Sequence, residues 1–176
     1  MNDPAAALAE ALETCWSRLS DLPCEAVLAT VAERGAEARV VMLRRADRAA
    51  GSVGFHADLQ SPKLAEIARS PGATLLIWDR AARLQLRLRV TLSVRTGAAD
   101  LWAALPDAAR GNYGTVPPPG RPIAAPDAYV RRPELARFGE ITGRIEAIDM
   151  VQMRGQGDRR ALFARDEDWR GRWLAP

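Results

Sequence analysis

The sequence has very little lysine, histidine or cysteine. Its 25 basic residues include a single lysine, Lys63, and it has one histidine, His56, and two cysteines, Cys15 and Cys24. Two cysteines do not make a disulfide framework, and with one histidine they do not supply a ligand set for a metal. We therefore expect no metal site and a reducing, cytoplasmic location.

Long apolar runs and long basic runs are also absent. No stretch approaches the roughly 18 to 20 apolar residues that a membrane span needs, and the N-terminus lacks the basic segment of a secretory signal. The formal net charge is only +3, with acids scattered among the arginines, which disfavours a nucleic-acid surface. We find no P-loop, no G-x-G-x-x-G and no G-x-S-x-G motif. The expected partner is a small molecule, with no nucleic acid and no membrane.

The apolar periodicity predicts a mainly β protein. Steps of three and four residues predict a helix over 4–20, within the N-terminal segment 1–22. Alternating or continuous apolar runs between turn residues predict strands at 24–33, 37–45, 53–57, 73–78, 83–96, 138–153, 159–165 and 169–174. Shorter helices are expected after Ser61-Pro62, over 98–105 and over 129–135. Because most connections are too short for parallel crossovers, we predict an antiparallel barrel with peripheral helices, occupying 1–176 as one domain.

The first predicted strand and the segment 111–126 differ from the rest of this pattern. The first strand is apolar on both faces, with Ala26, Leu28 and Thr30 on one and Val27, Ala29 and Val31 on the other, so we expect it to be buried on both sides. Residues 111–126 are rich in proline and glycine, which predicts a loop long enough for a functional role.

Arg39, Ser61 and Lys63 form a candidate anion-binding set. Arg39 stands in the apolar strand 37–45, where a guanidinium needs an anionic partner; alternatively, it emerges at the strand edge. Ser61 and Lys63 open a helix, where free backbone N–H groups and the helix dipole favour an anion. An ordinary capped surface helix would give the same pattern. His56, which follows a strand, is more typical of a packing or hydrogen-bonding residue than of a catalyst.

Four segments, in this order, resemble the pyridoxamine 5′-phosphate oxidase-like family, the FMN-binding split barrels. They are RVVMLR at 39–44, FHADLQSPK at 55–63, LQLRLRV at 84–90 and RWLAP at 172–176. In the family an R-x-V-x-L-K strand precedes an aromatic-Thr segment ending in S-R-K, a strand with R-Q-V-x-V and a C-terminal R-L-A-P. The resemblance covers 23–176 and implies a mainly β, antiparallel split β-barrel that binds FMN.

The resemblance implies a role for each matching residue. Arg39 and Lys63 would bind the FMN phosphate with help from Ser61, and the backbone of 40–43 would run along the ring. Gln85 would contact the ring edge, since its amide donates and accepts; an outward position in an alternating strand is the alternative. The implied FMN-binding residues are Arg39, Val40, Val41, Met42, Leu43, Phe55, His56, Ser61, Lys63, Gln85 and Arg160. The family also implies a homodimer with FMN at the interface, each flavin touched by both chains.

The departures from the family concern mainly the substrate site. Arg44 replaces the lysine that holds the substrate phosphate, and Pro62 replaces the arginine of S-R-K. Where the family has a Tyr, Arg and Ser group, only Arg110 is present, out of register. Residues 156–158 read Gln-Gly-Asp where an R-L-H triplet would fall. Arg44 and Arg110 are therefore the candidate substrate contacts, and no catalytic residue is assigned.

Three functions remain open at this point. The first is an FMN-dependent oxidoreductase, related to pyridoxamine 5′-phosphate oxidase, that acts on a small molecule. The second is a flavin-binding protein without turnover, a carrier or a sensor, because the family's substrate residues are missing. The third is a genuine pyridoxamine 5′-phosphate oxidase with rearranged phosphate ligands.

Overall fold

A closed antiparallel barrel lies at the centre of the structure, a computed structural model that describes residues 3–155 and 157–176. The strands are β1 (Cys24–Ala32), β2 (Gly35–Asp47), β3 (Ser52–Asp58), β4 (Gly72–Asp79), β5 (Leu84–Thr96), β6 (Thr115–Val116), β7 (Val130–Arg131), β8 (Phe138–Gln152), β9 (Arg159–Ala164) and β10 (Arg172–Leu174). The helices are α1 (Pro4–Ser20), α2 (Pro62–Arg69), α3 (Ala99–Ala104) and α4 (Asp107–Arg110). Gln156, in the substituted triplet 156–158, lies outside the described residues.

Six strands form the barrel. Strands β3, β2, β1, β4 and β5 are neighbours in that order, and β8 closes the ring by pairing with both β3 and β5. Strands β9 and β10 extend the sheet from the second half of β8. This arrangement confirms the predicted antiparallel split barrel with peripheral helices. Closure pairs the strand edges that an open sheet would leave exposed.

Alternation along the strands places the core inside the barrel. On β5 the residues Leu84, Leu86 and Leu88 are buried, whereas Gln85 and the two arginines that follow it at every second position face outward. Helix α1 packs on the same core through Ala11, Cys15, Trp16 and Leu19. None of the helices in the described part of the chain is long and apolar enough to cross a membrane.

The outer face of the barrel near β1 is open. Val31 is 54% exposed, Val40 on β2 is 63% exposed and Trp78 on β4 is 48% exposed. The prediction that β1 is buried on both sides is therefore wrong for the single chain: Ala26, Leu28 and Thr30 face the core, but the opposite face meets solvent. An apolar sequence pattern on two faces thus marks an exposed apolar surface here.

A bulge in β2 changes the direction of one arginine. Leu43 pairs with Phe55 and Arg45 pairs with Gly54, so Arg44 is the extra residue on β2. A bulge of this kind interrupts the ladder and re-aims a side chain. Arg44 is consequently exposed on the outer side of the barrel rather than placed in a regular ladder position.

The predicted helix over 129–135 is wrong. The backbone N–H of Arg132 donates to the carbonyl of Gly114, and that of Glu134 donates to the carbonyl of Tyr113. The segment therefore bonds across to the Pro/Gly-rich loop, as strand β7 does with β6, instead of along itself. Pro133 adds to this by disfavouring a helical conformation for the residue before it. Helical hydrogen bonding begins only in the 3-10 turn Leu135–Arg137.

Candidate cofactor and substrate site

Arg39 lies next to α2 and has an acidic partner there. Its guanidinium donates to Glu66 Oε2 at 2.8 Å and also to the hydroxyl of Thr30. That hydroxyl donates in turn to Glu66 Oε2 at 2.5 Å. The anionic partner that the apolar strand requires is thus present within the chain. It was missed in the sequence because Glu66 lies 27 residues away on another element.

Ser61 and Lys63 lie where α2 begins. Ser61 precedes the first helical residue, but its hydroxyl does not cap the helix. It donates to the carbonyl of Asp58 at 2.7 Å and accepts from Lys63 Nζ at 2.9 Å. Burial lowers the pKa of Lys63, and the nearby Arg39 lowers it further, while Asp58 and Glu66 act in the opposite direction. The two cations of the predicted set are therefore close enough to repel each other, and an anion between them would relieve that repulsion.

The turn that carries Ser61 is fixed by a buried ion pair that the sequence did not reveal. The Asp58 carboxylate accepts hydrogen bonds from Arg137 Nε at 3.0 Å and Nη2 at 2.8 Å. It also accepts the backbone N–H of Gly114 at 2.9 Å and that of Gln60 at 2.8 Å. One carboxylate thus connects the end of β3, the start of α2 and the loop that follows α4.

The Pro/Gly-rich loop 111–126 passes over the start of α2. A Cβ atom on Gly120 would lie 2.8 Å from Pro62 Cγ, so the loop backbone approaches the first turn of the helix closely. Gly120 has a φ of +84°, in the region that favours glycine. The loop and the anion-binding set therefore share one end of α2.

The side chains of Val40–Leu43 on β2 alternate between the surface and the core of the barrel. Val41 and Leu43 are buried in the core, Met42 is half-buried and Val40 is exposed. Phe55, which pairs with Leu43, is fully buried in the barrel. Its side chain packs the core, so a ligand at the surface would meet only its backbone.

His56 is half-buried on the face of β3 opposite to Phe55. Its ring packs edge-on to Phe138, with 4.8 Å between the ring centroids. Its Nδ1 atom is buried and has no hydrogen-bond partner among the described residues. Burial lowers the pKa of His56, and Arg44 lowers it further, against the opposing effect of Glu140. These effects favour the neutral form of the ring, and Nδ1 has no partner in the described part of the chain.

The two candidate substrate contacts lie in different surroundings. Arg44 is exposed on the bulge and acts on His56 through its charge. Arg110 donates to the carbonyls of Trp102 at 3.1 Å and Ala103 at 3.0 Å, and its guanidinium lies 5.5 Å from the ring centroid of Trp102. The donors of Arg110 therefore satisfy the C-terminal carbonyls of α3.

Gln85 and Arg160 belong to a second cluster, on the outer face. Gln85 on β5 pairs with Val151 on β8, which pairs with Arg160 on β9. Asp149 accepts from Arg160 Nε at 3.0 Å and Nη2 at 2.8 Å, and also from Arg87. Burial alone would raise the pKa of Asp149, but the hydrogen bonds from both arginines hold it below its ordinary value. A cavity of about 320 Å³ opens here, lined by Thr74, Arg87, Arg89, Asp149, Arg160, Leu162 and Leu174.

The anion-binding set of Arg39, Ser61 and Lys63 lies apart from the second cluster, which contains Gln85 and Arg160. Strands β1 and β4 lie between β2, which carries Arg39, and β5, which carries Gln85. Three strand spacings amount to roughly 14 Å. Arg39 also faces the same side as Leu28, its buried partner on β1, whereas Gln85 faces outward. Within one chain the structure brings together Arg39, Ser61 and Lys63, but it does not bring them to Gln85 or Arg160.

The fold is shared with several solved structures. A pyridoxamine 5′-phosphate oxidase-related, FMN-binding protein from Nostoc punctiforme PCC 73102 is 25% identical, with a TM-score of 0.71 and 100% of both chains covered. PhzG from Burkholderia lata 383, solved in complex with tetrahydrophenazine-1-carboxylic acid, is 18% identical, with a TM-score of 0.72 over 100% of this chain and 94% of that one. An F420 reductase is 18% identical, with a TM-score of 0.52 over 75% of this chain and 94% of that one.

Comparisons by sequence alone find nothing: no family model and no curated protein matches the chain. The relationship is therefore visible mainly in the barrel and in the order of its motifs. The fold is that of the split barrels. In fold and in the order of its motifs the chain resembles the pyridoxamine 5′-phosphate oxidase-related, FMN-binding proteins.

Proposed function

We propose that the chain binds FMN and acts as a flavin-dependent oxidoreductase on a small molecule. The observation that carries this proposal is the grouping of Arg39, Ser61 and Lys63 at the start of α2. The group lies in a barrel shared with an FMN-binding protein. FMN would supply the redox chemistry, and the chain would supply binding, orientation and charge around the ring.

The anion-binding set fits a phosphate on physical grounds. In the described part of the chain Lys63 forms no ion pair, and its Nζ bonds only to the Ser61 hydroxyl. Its ammonium is partly desolvated and repelled by Arg39, so a phosphate would restore both hydrogen bonds and charge balance. The Arg39 guanidinium already donates a hydrogen bond to Glu66. We therefore expect Lys63 to contribute more to phosphate affinity than Arg39.

We further propose a homodimer in which two chains complete each flavin site. The Arg39 and Lys63 set of one chain would face the Gln85 and Arg160 set of its partner. The separation of these clusters within one chain supports this, and so does the exposed apolar outer face that includes Val40. A cavity of about 950 Å³ lies on that face as well, beside Val31, Thr74 and Arg89.

Flavin binding without turnover is the second candidate. It is favoured by the engagement of Arg110 with the carbonyls of α3, which leaves Arg44 as the remaining candidate substrate contact. The same observation weakens the third candidate, a genuine pyridoxamine 5′-phosphate oxidase, because that enzyme binds its substrate phosphate with several residues. Both cysteines are free and buried, which is compatible with the proposed cytoplasmic location.

The visible absorption spectrum of the purified protein, with the released cofactor identified after denaturation, tests flavin binding. A colourless protein that takes up no added FMN would overturn the proposal. Anaerobic mixing of the FMN-loaded protein with NADH, NADPH and pyridoxamine 5′-phosphate then separates the candidates. Rapid reduction by a nicotinamide supports the oxidoreductase, reduction by pyridoxamine 5′-phosphate with release of pyridoxal 5′-phosphate supports the oxidase, and no reduction supports the carrier or sensor.

A further inference from the structure

We propose that Glu66 competes with the phosphate of the flavin for Arg39, and that this competition sets how tightly FMN is held. The inference rests on the proposed FMN site and deepens it, because Glu66 is bonded to a member of the anion-binding set. None of the sequence motifs includes Glu66, and the family resemblance gives it no role.

The carboxylate of Glu66 is bonded into a ring of three side chains. Arg39 Nη2 donates to Glu66 Oε2 at 2.8 Å, and Arg39 Nη1 donates to the Thr30 hydroxyl. That hydroxyl donates to Glu66 Oε2 at 2.5 Å. Thr30 is buried, and the side chains of Arg39 and Glu66 are only 23% and 12% exposed. The ion pair is therefore shielded from most of the solvent, where charges act on each other more strongly than at an open surface.

Glu66 also lies near the second cation of the set. Lys63 and Glu66 are three residues apart on α2, and residues at this spacing are neighbours on the surface of a helix. Burial and the charge of Arg39 lower the pKa of Lys63, while Asp58 and Glu66 act in the opposite direction. One carboxylate is thus close to both cations that would bind the phosphate.

The charges of the set do not match a phosphate monoester. Arg39 and Lys63 carry two positive charges, and Glu66 offsets one of them. Asp58 lies near Lys63 as well, but its carboxylate is paired with Arg137. A phosphate monoester carries a charge of roughly −2 at about pH 8, since its second pKa is about 6. When FMN and Glu66 share the site, one negative charge is in excess, and the carboxylate repels the phosphate.

A purely aligning role for Glu66 predicts the opposite result. A guanidinium has five N–H donors, and Glu66 and Thr30 each accept from one of its terminal nitrogens. Glu66 would then hold Arg39 in place while the other donors bind the phosphate. Glutamine keeps an oxygen acceptor of the same reach but has no charge. Competition therefore predicts that Glu66→Gln binds FMN more tightly, whereas alignment predicts unchanged or weaker binding.

Dissociation constants for FMN and riboflavin, measured by flavin fluorescence at about pH 8, separate these roles. We expect Glu66→Gln to bind FMN about five- to fiftyfold more tightly than the wild type, as removal of one like charge from a partly buried site implies. Its affinity for riboflavin, which has no phosphate, should stay the same. Glu66→Ala should change the FMN affinity in the same direction, and a urea transition confirms that each variant is folded.

Glu10→Gln is the matched control, because it removes the same charge from an exposed residue on another helix, α1. Its FMN affinity should equal that of the wild type. An equal gain in Glu10→Gln, or an equal gain for riboflavin in Glu66→Gln, would overturn the competition for Arg39.

The remaining outcomes separate this inference from the proposed function. If the wild type prefers FMN to riboflavin and both Glu66 variants bind FMN no more tightly, the competition is overturned and the phosphate site stands. If the wild type takes up no FMN but Glu66→Gln does, the carboxylate excludes the phosphate and the competition is supported. Absence of flavin binding in both proteins would overturn the inference and the proposed function together.

Discussion

The Asp58 carboxylate and the Arg137 guanidinium form a buried ion pair, with side chains only 4% and 9% exposed. Asp58 comes from the end of β3 and Arg137 from the 3-10 turn before β8. The same carboxylate accepts a hydrogen bond from the backbone N–H of Gly114. The backbone carbonyl of Asp58 accepts a hydrogen bond from the Ser61 hydroxyl. The pair therefore connects the Pro/Gly-rich loop to the proposed phosphate site.

Replacing Arg137 by methionine leaves the Asp58 carboxylate buried without its cation. We expect the free energy of unfolding to fall by about 3 to 5 kcal/mol, as is typical when one partner of a buried pair is removed. Urea denaturation measures this change. FMN affinity should fall as well, since the turn that carries Ser61 loses its anchor.

Arg48→Met is the control for that experiment, because the Arg48–Glu13 pair is exposed. Exposed pairs add little to stability, so its urea transition should stay close to that of the wild type. If both substitutions change the free energy of unfolding by the same small amount, Arg137 does not stabilise the buried Asp58 carboxylate.

His56 should titrate below its ordinary pKa of 6.5. Burial and the charge of Arg44 both favour the neutral ring, so Arg44→Gln should raise the midpoint measured by NMR, and Glu140→Gln should lower it. The unfolded chain binds this proton at higher pH than the native protein does, so protonation of His56 destabilises the fold as the pH falls below about 6.5. An unchanged midpoint in both variants would place Arg44 and Glu140 too far away to act.

Most of the barrel was predictable from the sequence. The alternation of Leu84, Leu86 and Leu88 with polar residues located β5, and the turns at Gly35 and Gly51 separated β1, β2 and β3. The segment 129–135 was not predictable, because its hydrogen bonds go to Gly114 and Tyr113, and such pairing between distant segments leaves no local periodicity.

The candidate site was predictable only in part. Motif order pointed to Arg39, Ser61 and Lys63, and the structure groups these three. The partners that set their environment, Glu66 and Arg137, come from other elements, and neither belongs to a motif. Phe55 matched a motif as well, but the strand alternation buries its side chain in the core.

Neither cysteine should react readily in the native protein. Burial raises the pKa of Cys15 to about 12, and burial also raises the pKa of Cys24, against the opposing effect of Arg18. At about pH 8 both thiols stay protonated, and only the thiolate is a nucleophile. A chromogenic disulfide reagent should therefore react slowly with native protein and with both thiols after denaturation. Rapid modification of the native protein would contradict the burial of these residues.

If two chains build each flavin site, variants defective in different clusters should complement each other. One variant carries Arg39→Ala with Lys63→Ala, and the other carries Gln85→Ala with Arg160→Ala. Each homodimer should bind FMN weakly. After the two are unfolded, mixed and refolded together, each mixed dimer should contain one site with both clusters intact, so FMN binding returns to about one site per mixed dimer. If no binding is recovered, the clusters do not meet across an interface.

The most direct test of the proposed phosphate site compares FMN with riboflavin, which has the same ring but no phosphate. Dissociation constants are measured by flavin fluorescence for the wild type and for Lys63→Gln. If Lys63 binds the phosphate, the wild type prefers FMN, and Lys63→Gln weakens FMN about ten- to hundredfold, as expected for a charge-assisted hydrogen bond, while riboflavin affinity stays the same. Equal affinity of the wild type for FMN and riboflavin, or an unchanged FMN affinity in Lys63→Gln, would contradict the phosphate site at the start of α2.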